Sequence, residues 1–365
     1  MLDILITERE CFAVKAVKKV LKTILIIILA VVVLGALFIG YLTLTEYKPA
    51  DVEEARVVGD GLTEAPAAGQ MVKILTWNVG YAGLGKDADF IMDGGGNAPV
   101  ASKELVHENI DGIKSVIARE NPDIVMLQEV EERSQRTYNT EQVTDFSMAN
   151  YSFAYNYKCN YVPFPWPPIG KIASGVYTTT NYDIASAERY SLPCPFSWPL
   201  RVANLKRCML SSRIPMADGN ELIIVNFHLE AYDSGEGKIA QTKMLMEYIQ
   251  SEYEKGNYVI AGGDFNQTFP GSLEVYPNTH VDLWNVGLIE ADVLPNGWNF
   301  AYDTSSPTCR LLNQPYDPSD TVNTQFYVID GFICSPNVEI ASVQTLNEGF
   351  TYSDHNPVEL IVGLK

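Results

Sequence analysis

Residues 24–42 form an apolar run almost without interruption. A soluble domain has little use for such a run, because a helix built from it offers no polar face to water. It is long enough to cross the ~30 Å hydrocarbon core of a bilayer as one helix. Lys15, Lys18, Lys19 and Lys22 precede it, and Glu46, Asp51, Glu53 and Glu54 follow. Basic flanks stay on the cytoplasmic side, so the rest of the chain is expected outside. A cleaved signal peptide is the competing reading, but the run is long for such a core and no small-x-small cleavage site follows closely. The expected organisation is a cytoplasmic basic segment over residues 1–22, a transmembrane helix over 23–42, a linker over 43–70 and a folded domain over 71–365. The linker is acidic and carries Pro49, Gly59, Gly61, Pro66 and Gly69, a composition too polar to build a core and suited to holding a domain off a membrane.

Charge narrows the partners. The chain carries a net −19, and most of that excess falls after residue 64. Such a domain is a poor general partner for a phosphate backbone, which disfavours long duplex nucleic acid and fits recruitment of divalent cations. Cys11 is expected inside. Cys159, Cys194, Cys208, Cys309 and Cys334 are expected outside, where disulfides persist. Five is an odd number, so at least one is unpaired. Cys159 and Cys194 flank one loop-rich region and are the expected bridge, with simple buried thiols as the alternative. No spacing matches a zinc site.

Apolar runs near residues 72–77, 124–127, 206–210, 222–227, 258–261, 326–334, 338–343 and 358–362 read as strands. Residues 102–119 carry Leu105, Ile110, Ile113, Val116 and Ile117 at helical spacing, and residues 238–254 carry Ile239, Leu245, Met246 and Ile249. Residues 81–101, rich in Gly and Asp, read as a surface loop. Residues 151–170 hold seven aromatic side chains and Pro163, Pro165, Pro167 and Pro168. That proline density predicts an irregular loop, either capping the core or touching substrate or bilayer. Strands and helices alternate, yet many strands lie close enough for antiparallel pairing. Two mixed sheets packed face to face with helices outside follow.

Five apolar runs end in unusual polar residues: Trp77-Asn78, Gln128-Glu129, Asn226-Phe227-His228, Gly263-Asp264-Phe265-Asn266 and, before the last run, Ser353-Asp354-His355. A hard cation such as Mg²⁺, or Mn²⁺, wants oxygen ligands. Glu129 and Asp354 supply carboxylates, and Asn78 either shares that shell or binds a phosphate oxygen. His228 and His355 are half of the chain's four histidines, and a pair of imidazoles near one phosphorus can exchange protons near neutral pH. Asp264 and Asn266, two apart in an extended segment, are expected to face the same way, the acid orienting water and the amide holding phosphate; an Asx-turn is the alternative. Asp330 lies within the apolar run 327–332, where a carboxylate needs a partner, and His355 is its expected one.

This ordered set resembles the endonuclease/exonuclease/phosphatase superfamily, which includes pancreatic deoxyribonuclease, abasic-site endonucleases, neutral sphingomyelinases and inositol-polyphosphate 5-phosphatases. The resemblance spans residues 71–365. It implies a four-layer α/β/β/α sandwich and divalent-metal phosphoester hydrolysis by in-line attack of water. By the resemblance, Glu129 is the principal metal ligand, Asn78 and Asp354 lie on the metal or phosphate side, Asp264 activates or orients water, Asn266 binds phosphate, and Asp330 orients the catalytic His355. His228 matches the deoxyribonuclease and sphingomyelinase branches, whereas abasic-site enzymes carry tyrosine there. The chain departs from the family at the mid-domain Ser-Arg pair: Ser174-Gly175 stands without that arginine, leaving Lys206, Arg207 and Arg213 as candidates for the positive charge. The function expected is an extracytoplasmic, membrane-tethered phosphodiesterase or phosphatase acting on a lipid or small phosphorylated headgroup. A nuclease outside the cytoplasm and a catalytically dead binding module on the same scaffold are the alternatives.

Overall fold

A computed structural model describes residues 2–59, 65–96, 101–233, 235–320 and 322–365, with side chains from Val14 onward. The chain divides into two units, Met1–Glu46 and Tyr47–Lys365.

The first unit is one helix, α1 (Leu2–Leu44). Its stretch Val14–Leu44 contains an 18-residue window of mean hydropathy 3.1 and is long and apolar enough to cross a bilayer.

The second unit is built on fourteen strands in two seven-stranded sheets. In chain order these are β1 (Val52–Glu54), β2 (Arg56–Val58), β3 (Met71–Asn78), β4 (Ile124–Glu131), β5 (Asn150–Val162), β6 (Gly170–Thr180), β7 (Ser186–Ser191), β8 (Cys208–Pro215), β9 (Glu221–His228), β10 (Tyr258–Asp264), β11 (Asn299–Ala301), β12 (Asp330–Cys334), β13 (Val338–Thr345) and β14 (Val358–Leu364). One sheet runs β1-β7-β8-β9-β10-β12-β11, the other β13-β14-β3-β4-β6-β5-β2. Each is mixed: β9 with β10 and β3 with β4 are parallel, and the remaining pairs are antiparallel.

The period-2 alternation of the central strands explains the layering. Val72, Ile74, Ile124, Met126 and Val176 meet Leu210, Ile214, Leu222, Ile224, Ile260 and Phe332 in a dry layer between the sheets. The intervening residues face outward to the helices. α2 (Lys103–Glu120) buries Val106, Ile110, Ile113 and Val116 against Trp77, Val125 and Leu127. α3 (Glu236–Tyr253) buries Leu245, Met246 and Ile249 against Ile223, Val225 and Val259. α2 starts where Ser102 Oγ accepts the Leu105 N–H and stops where Asn121 turns left-handed. The result is the expected four-layer α/β/β/α sandwich.

Several segments differ from expectation. Residues 43–70 are not a plain linker: β1 and β2 lie within them and extend an edge of each sheet, pairing with β7 and β5. Residues 150–162 form a long strand. Its prolines begin only at Pro163, and Tyr151, Phe153, Tyr155 and Tyr157 already alternate at strand period. The irregular loop is confined to 163–169. Residues 326–334 break into two pieces, Phe326–Tyr327 and Asp330–Cys334. Cys159 and Cys194 are both free thiols, one buried and one exposed, so the expected bridge is absent. Cys159 faces its own strand's Tyr161 carbonyl, while the Cys194 thiol lies toward the Phe196 and Leu205 carbonyls.

Candidate active site

The inner faces of the central strands change character at one end. Apolar over most of their length, they finish in Thr76 and Asn78, Gln128, Asn226 and His228, and Asp264. These endings meet at the carboxyl ends of the two parallel pairs.

In the first sheet, His228 on β9 is the register partner of Asp264 on β10, and Asp264 that of Asp330 on β12. An imidazole and two carboxyls therefore stand in one row across three adjacent strands. Gly263 precedes Asp264 with φ +143, and a Cβ there would lie 2.0 Å from the Phe227 carbonyl oxygen. Any larger residue would push β9 and β10 apart at the row itself.

In the second sheet, the register between β4 and β6 slips between Leu127 and Val130, and Glu129 takes φ +59. This bulge in a non-glycine residue is strained backbone held by its surroundings. It brings the Glu129 carboxylate to the cleft, with its side chain 24% exposed. Asn78, ending β3, spans the two sheets: its Nδ2 donates to Asp264 Oδ2 at 3.0 Å and to Glu129 Oε1 at 3.3 Å, and its Oδ1 accepts the Gly80 N–H at 3.0 Å.

The segment before β14 closes the site. Ser353 Oγ donates to the Asn78 carbonyl at 2.7 Å and accepts the His355 N–H at 3.2 Å. Trp77 Nε1 donates to the His355 carbonyl at 2.8 Å. His355 Nδ1 lies 2.9 Å from Asp330 Oδ2, the pairing expected from sequence. Its Nε2 is 3.8 Å from Asp264 Oδ2, and His228 Nε2 is 3.3 Å from that same oxygen. Two imidazoles thus converge on one carboxylate.

Their environments pull the two histidines apart. Burial, reinforced by the charges of Arg207 and His355, holds His228 well below the usual imidazole range. Burial also disfavours charge on His355, but the Asp330 carboxylate and its hydrogen bond outweigh that and raise it well above. Burial and the neighbouring Asp330 push Asp264 up to about 6. Burial pushes Asp354 up to about 7, with Glu129 adding repulsion against the pull of His355 and Arg310.

Beneath the charged row an amide network ties the sheets together. Gln128 Nε2 donates to Asn226 Oδ1 at 2.8 Å and to Thr76 Oγ1 at 3.1 Å, and Asn226 Nδ2 donates to the Tyr177 carbonyl at 2.8 Å. These two motif residues act as scaffold, fixing where His228 and Glu129 stand.

Asn266 reaches the cleft by another route than expected. It is left-handed at φ +49, its N–H bonds Asp264 Oδ1 at 2.8 Å, and its Nδ2 donates to the Leu229 carbonyl at 2.9 Å. The Asx-turn reading thus describes the backbone, and the extended i, i+2 argument does not apply. Of the three basic candidates, Arg207 lines the cleft; it is 4% exposed, and its Nε and Nη1 have no hydrogen-bond partner. Arg213 is occupied elsewhere by Glu252 and Glu221. Lys206 donates to the Arg201 carbonyl outside the cleft lining.

The cleft encloses about 430 Å³. Sequence reasoning missed several of its residues. The segment expected as a surface loop supplies Tyr81, Leu84, Phe90, Met92 and Asp93 to its wall; residues 97–100 of that prediction lie outside the described residues. Arg136 stacks over Tyr81 with its guanidinium carbon 3.6 Å from the ring centre. Arg310 is buried beside Asp354, bonded to the Gly85 and Ala88 carbonyls. Most of these residues sit in single 3-10 turns or, for Arg310, in a two-residue strand, all too short to carry a periodic signal.

A sequence model of the endonuclease/exonuclease/phosphatase family matches residues 75–355. The chain belongs to this family. Its members are in general phosphoester hydrolases that use divalent metals. No curated protein matches the chain. Among solved structures it is similar to an endonuclease/exonuclease/phosphatase from Beutenbergia cavernae (14% identity, 81% of this chain and 72% of that one, TM-score 0.52). It is also similar to TDP2 from C. elegans (15%, 81% and 76%, 0.50) and to a family protein from Leptotrichia buccalis (17%, 80% and 99%, 0.50). At these identities the likeness concerns the fold.

The donor set suits the family's cation. The Glu129 charge adds to the rise in the proton affinity of Asp354 across the cleft, and a cation between such carboxylates relieves that repulsion. Among the described residues, Asp264, Asp330 and His355 also bring ligand-type atoms within 4.8 Å of one another. There, however, the imidazole Nδ1 is already engaged by Asp330. The Glu129 side, with oxygen donors only, fits a hard cation better.

Proposed function

We propose that this domain is a divalent-cation-dependent phosphoester hydrolase acting outside the cytoplasm, on a lipid or small phosphorylated headgroup. The observation that carries the reading is the convergence of His228 and His355 on Asp264, with Asn78 linking that carboxylate to Glu129.

Glu129 and Asp354 would hold the cation, with Mg²⁺ or Mn²⁺ as the ion these oxygens suit; Asn78, whose Nδ2 faces Glu129 and whose Oδ1 takes the Gly80 N–H, would steady Glu129 in place of ligating. When bound, it would offset negative charge on the phosphate oxygens. Asp264, fixed by Asn78 and the Asn266 N–H, is placed to take up or orient the proton of an attacking water. His355, anchored through Nδ1 by Asp330, presents Nε2 as a proton holder on the phosphoryl group. His228 presents a neutral ring from the neighbouring strand. Arg207 and Asn266 bind phosphate oxygens; Arg207 Nε faces Glu230 Oε2 at 3.7 Å, beyond hydrogen-bond distance, and its Nη1 has no hydrogen-bond partner, so an anion would satisfy it.

The apolar helix, with Lys15 to Lys22 before it and acids after it, supports an anchor with the N-terminus cytoplasmic. The acidic balance of the chain argues against a long duplex substrate.

The test is hydrolysis by the full chain of a panel of sphingomyelin, phosphoinositides, bis(p-nitrophenyl) phosphate, p-nitrophenyl phosphate and single- and double-stranded DNA, with Mg²⁺ or Mn²⁺. Activity on DNA alone would replace the lipid reading with a nuclease. Turnover that survives both Glu129→Gln and His355→Ala would refute the site. No turnover on any substrate would leave the binding-module reading.

A further inference from the structure

Two loops rim the cleft, one from each sheet. β5 runs parallel to β4, since both are antiparallel to β6, so its carboxyl end opens on the cleft and continues into residues 163–169. β7 runs parallel to β9 through β8, so its carboxyl end opens at the same place and continues into residues 192–207. The two are fastened together: Tyr157 OH donates to the Ala203 carbonyl at 3.0 Å, and Lys206 N–H to the Asn156 carbonyl at 2.7 Å. Phe164, Pro165, Phe196 and Leu205 turn toward the cleft. Trp166 is 85% exposed, Leu200 70%, Phe164 58% and Trp198 57%. Large apolar side chains grouped on one rim mark an interaction surface.

Charge on this rim runs against the rest of the molecule. In a chain of net −19, residues 146–182 and 191–207 contain no acid, while they hold Lys158, Lys171, Arg201, Lys206 and Arg207; the incoming segment adds Asp51 and Glu53, the latter accepting the Tyr47 hydroxyl at 3.3 Å. Exposed tryptophans with lysines around them form the chemistry that settles at a lipid headgroup boundary.

The chain also begins its fold at this rim. Only Thr45 and Glu46 lie between the end of the apolar helix and Tyr47. The Tyr47 ring packs edge-on against Tyr155 at 6.3 Å, with Lys158 Nζ 5.8 Å away. Asp51 and Ala50 then offer their carbonyls to Ser191, at 2.8 and 2.7 Å, where the 192–207 loop leaves β7. Val52 pairs with Tyr190 and Glu54 with Glu188, so β1 enters from the cleft end and runs away from it.

We infer that the cleft end of the domain docks on the bilayer through the Phe164, Trp166, Trp198 and Leu200 collar, so that the cleft draws its phosphoester from the adjoining leaflet. This rests on the membrane-anchored hydrolase reading above. A tether on the opposite end would turn the cleft toward solvent and leave the collar unexplained.

The test uses the full chain in vesicles of phosphatidylcholine with a minor fraction of phosphatidylglycerol, with and without brominated acyl chains. Brominated lipid should quench part of the tryptophan emission. That part should vanish in Trp166→Ser/Trp198→Ser, whose remaining Trp77, Trp284 and Trp298 lie elsewhere. The same double variant should lose about tenfold or more of its turnover on a vesicle lipid phosphoester, while hydrolysis of soluble bis(p-nitrophenyl) phosphate stays within about twofold. Neither tryptophan lines the cleft. If the double variant fails to accumulate, Leu200→Ser provides the same split between vesicle and soluble substrate. Absence of quenching in the unaltered chain overturns the docking and leaves the collar to a protein partner; full vesicle turnover in the variants overturns it as well. Quenching without hydrolysis of either substrate upholds the docking and removes the hydrolase reading instead.

Discussion

Glu129 and Glu131 lie two residues apart on one strand and do opposite work. Glu131 is fully buried, with Arg136 Nη2 and Nε 2.7 Å from its Oε1 and Thr137 Oγ1 2.8 Å from Oε2. Both carboxylate oxygens that folding removed from water have partners, one of them a cation, as a buried charge requires. Glu129 receives one long bond from Asn78, lies 3.9 Å from the His228 ring and keeps a quarter of its side chain exposed. The backbone differs in the same sense, since the bulge falls at Glu129 and regular pairing resumes at Val130 and Glu131. A carboxylate that is fully satisfied by protein holds a fold together. One left short of partners on strained backbone is available to a ligand.

Three substitutions sharpen that contrast. The largest effect should come from Glu131→Gln, which leaves the Arg136 charge buried without its counterion and should cost about 3–5 kcal/mol of folding stability. Denaturant unfolding measures it, and the folded fraction should retain normal turnover per molecule. Glu129→Gln should do the reverse. Loss of one group of this kind costs about 2.7–4 kcal/mol of transition-state stabilisation, a fall of ~10²–10³ in kcat, with the unfolding midpoint of the metal-free protein unchanged. A large stability loss at Glu129, or a large kcat loss at Glu131, would invert the assignment. Third, Mg²⁺ at a hundredfold its Kd should stabilise the folded chain by about 2.7 kcal/mol. Thermal unfolding with and without EDTA reads this directly, and the shift should disappear in Glu129→Gln while surviving in Asp330→Asn.

The same contrast marks what the sequence could reveal. Glu129 was identifiable as the acid that closes a buried strand, and the order of the motifs placed it with Asn78, Asp264, Asp330 and His355. The bulge that separates it from Glu131 was not legible, because Glu-Val-Glu-Glu carries no glycine to announce a left-handed residue. Asn266 left its turn as one of two readings, because Asn tolerates positive φ as well as extended backbone. Gln128 and Asn226 read as chemistry and proved to be cross-sheet struts. A one-dimensional pattern shows that an amide is buried, and only the second sheet shows what it faces. β1 and β2 were hidden by their brevity and β1 also by its two glutamates, since edge strands of three residues gain their stability from neighbours supplied by distant sequence. Arg136 and Asp93 come to the cleft on single 3-10 turns and Arg310 on a two-residue strand, elements too short for spacing to carry information.

Asp93 tests the contrast at its smallest. Its carboxyl is buried, 9% exposed, and resembles neither glutamate: it accepts the Tyr232 hydroxyl at 3.2 Å and the Leu312 N–H at 3.4 Å, without a hydrogen-bonded cation among the described residues. Burial pushes it up to about 6 despite those bonds and the more distant Arg310. The sign of the linkage follows. In the unfolded chain an aspartate loses its proton near pH ~3.9, so between that value and about 6 the folded state binds the proton more tightly. Asp93 thus imposes no ionisation penalty below the lower value, a growing one as pH rises, and a constant one above the higher value. Asp93→Asn removes the ionisation and also alters two hydrogen bonds. That second change does not depend on pH and cancels when one pH is compared with another. In metal-free protein, the stability of Asp93→Asn relative to the unaltered chain should be on the order of 1 kcal/mol more favourable at pH ~8 than at pH ~4. Paired denaturant titrations at the two pH values measure the difference. A difference that does not change with pH would mean that Asp93 is as well partnered as Glu131, and that exposure to the cleft alone does not leave a carboxylate short of partners.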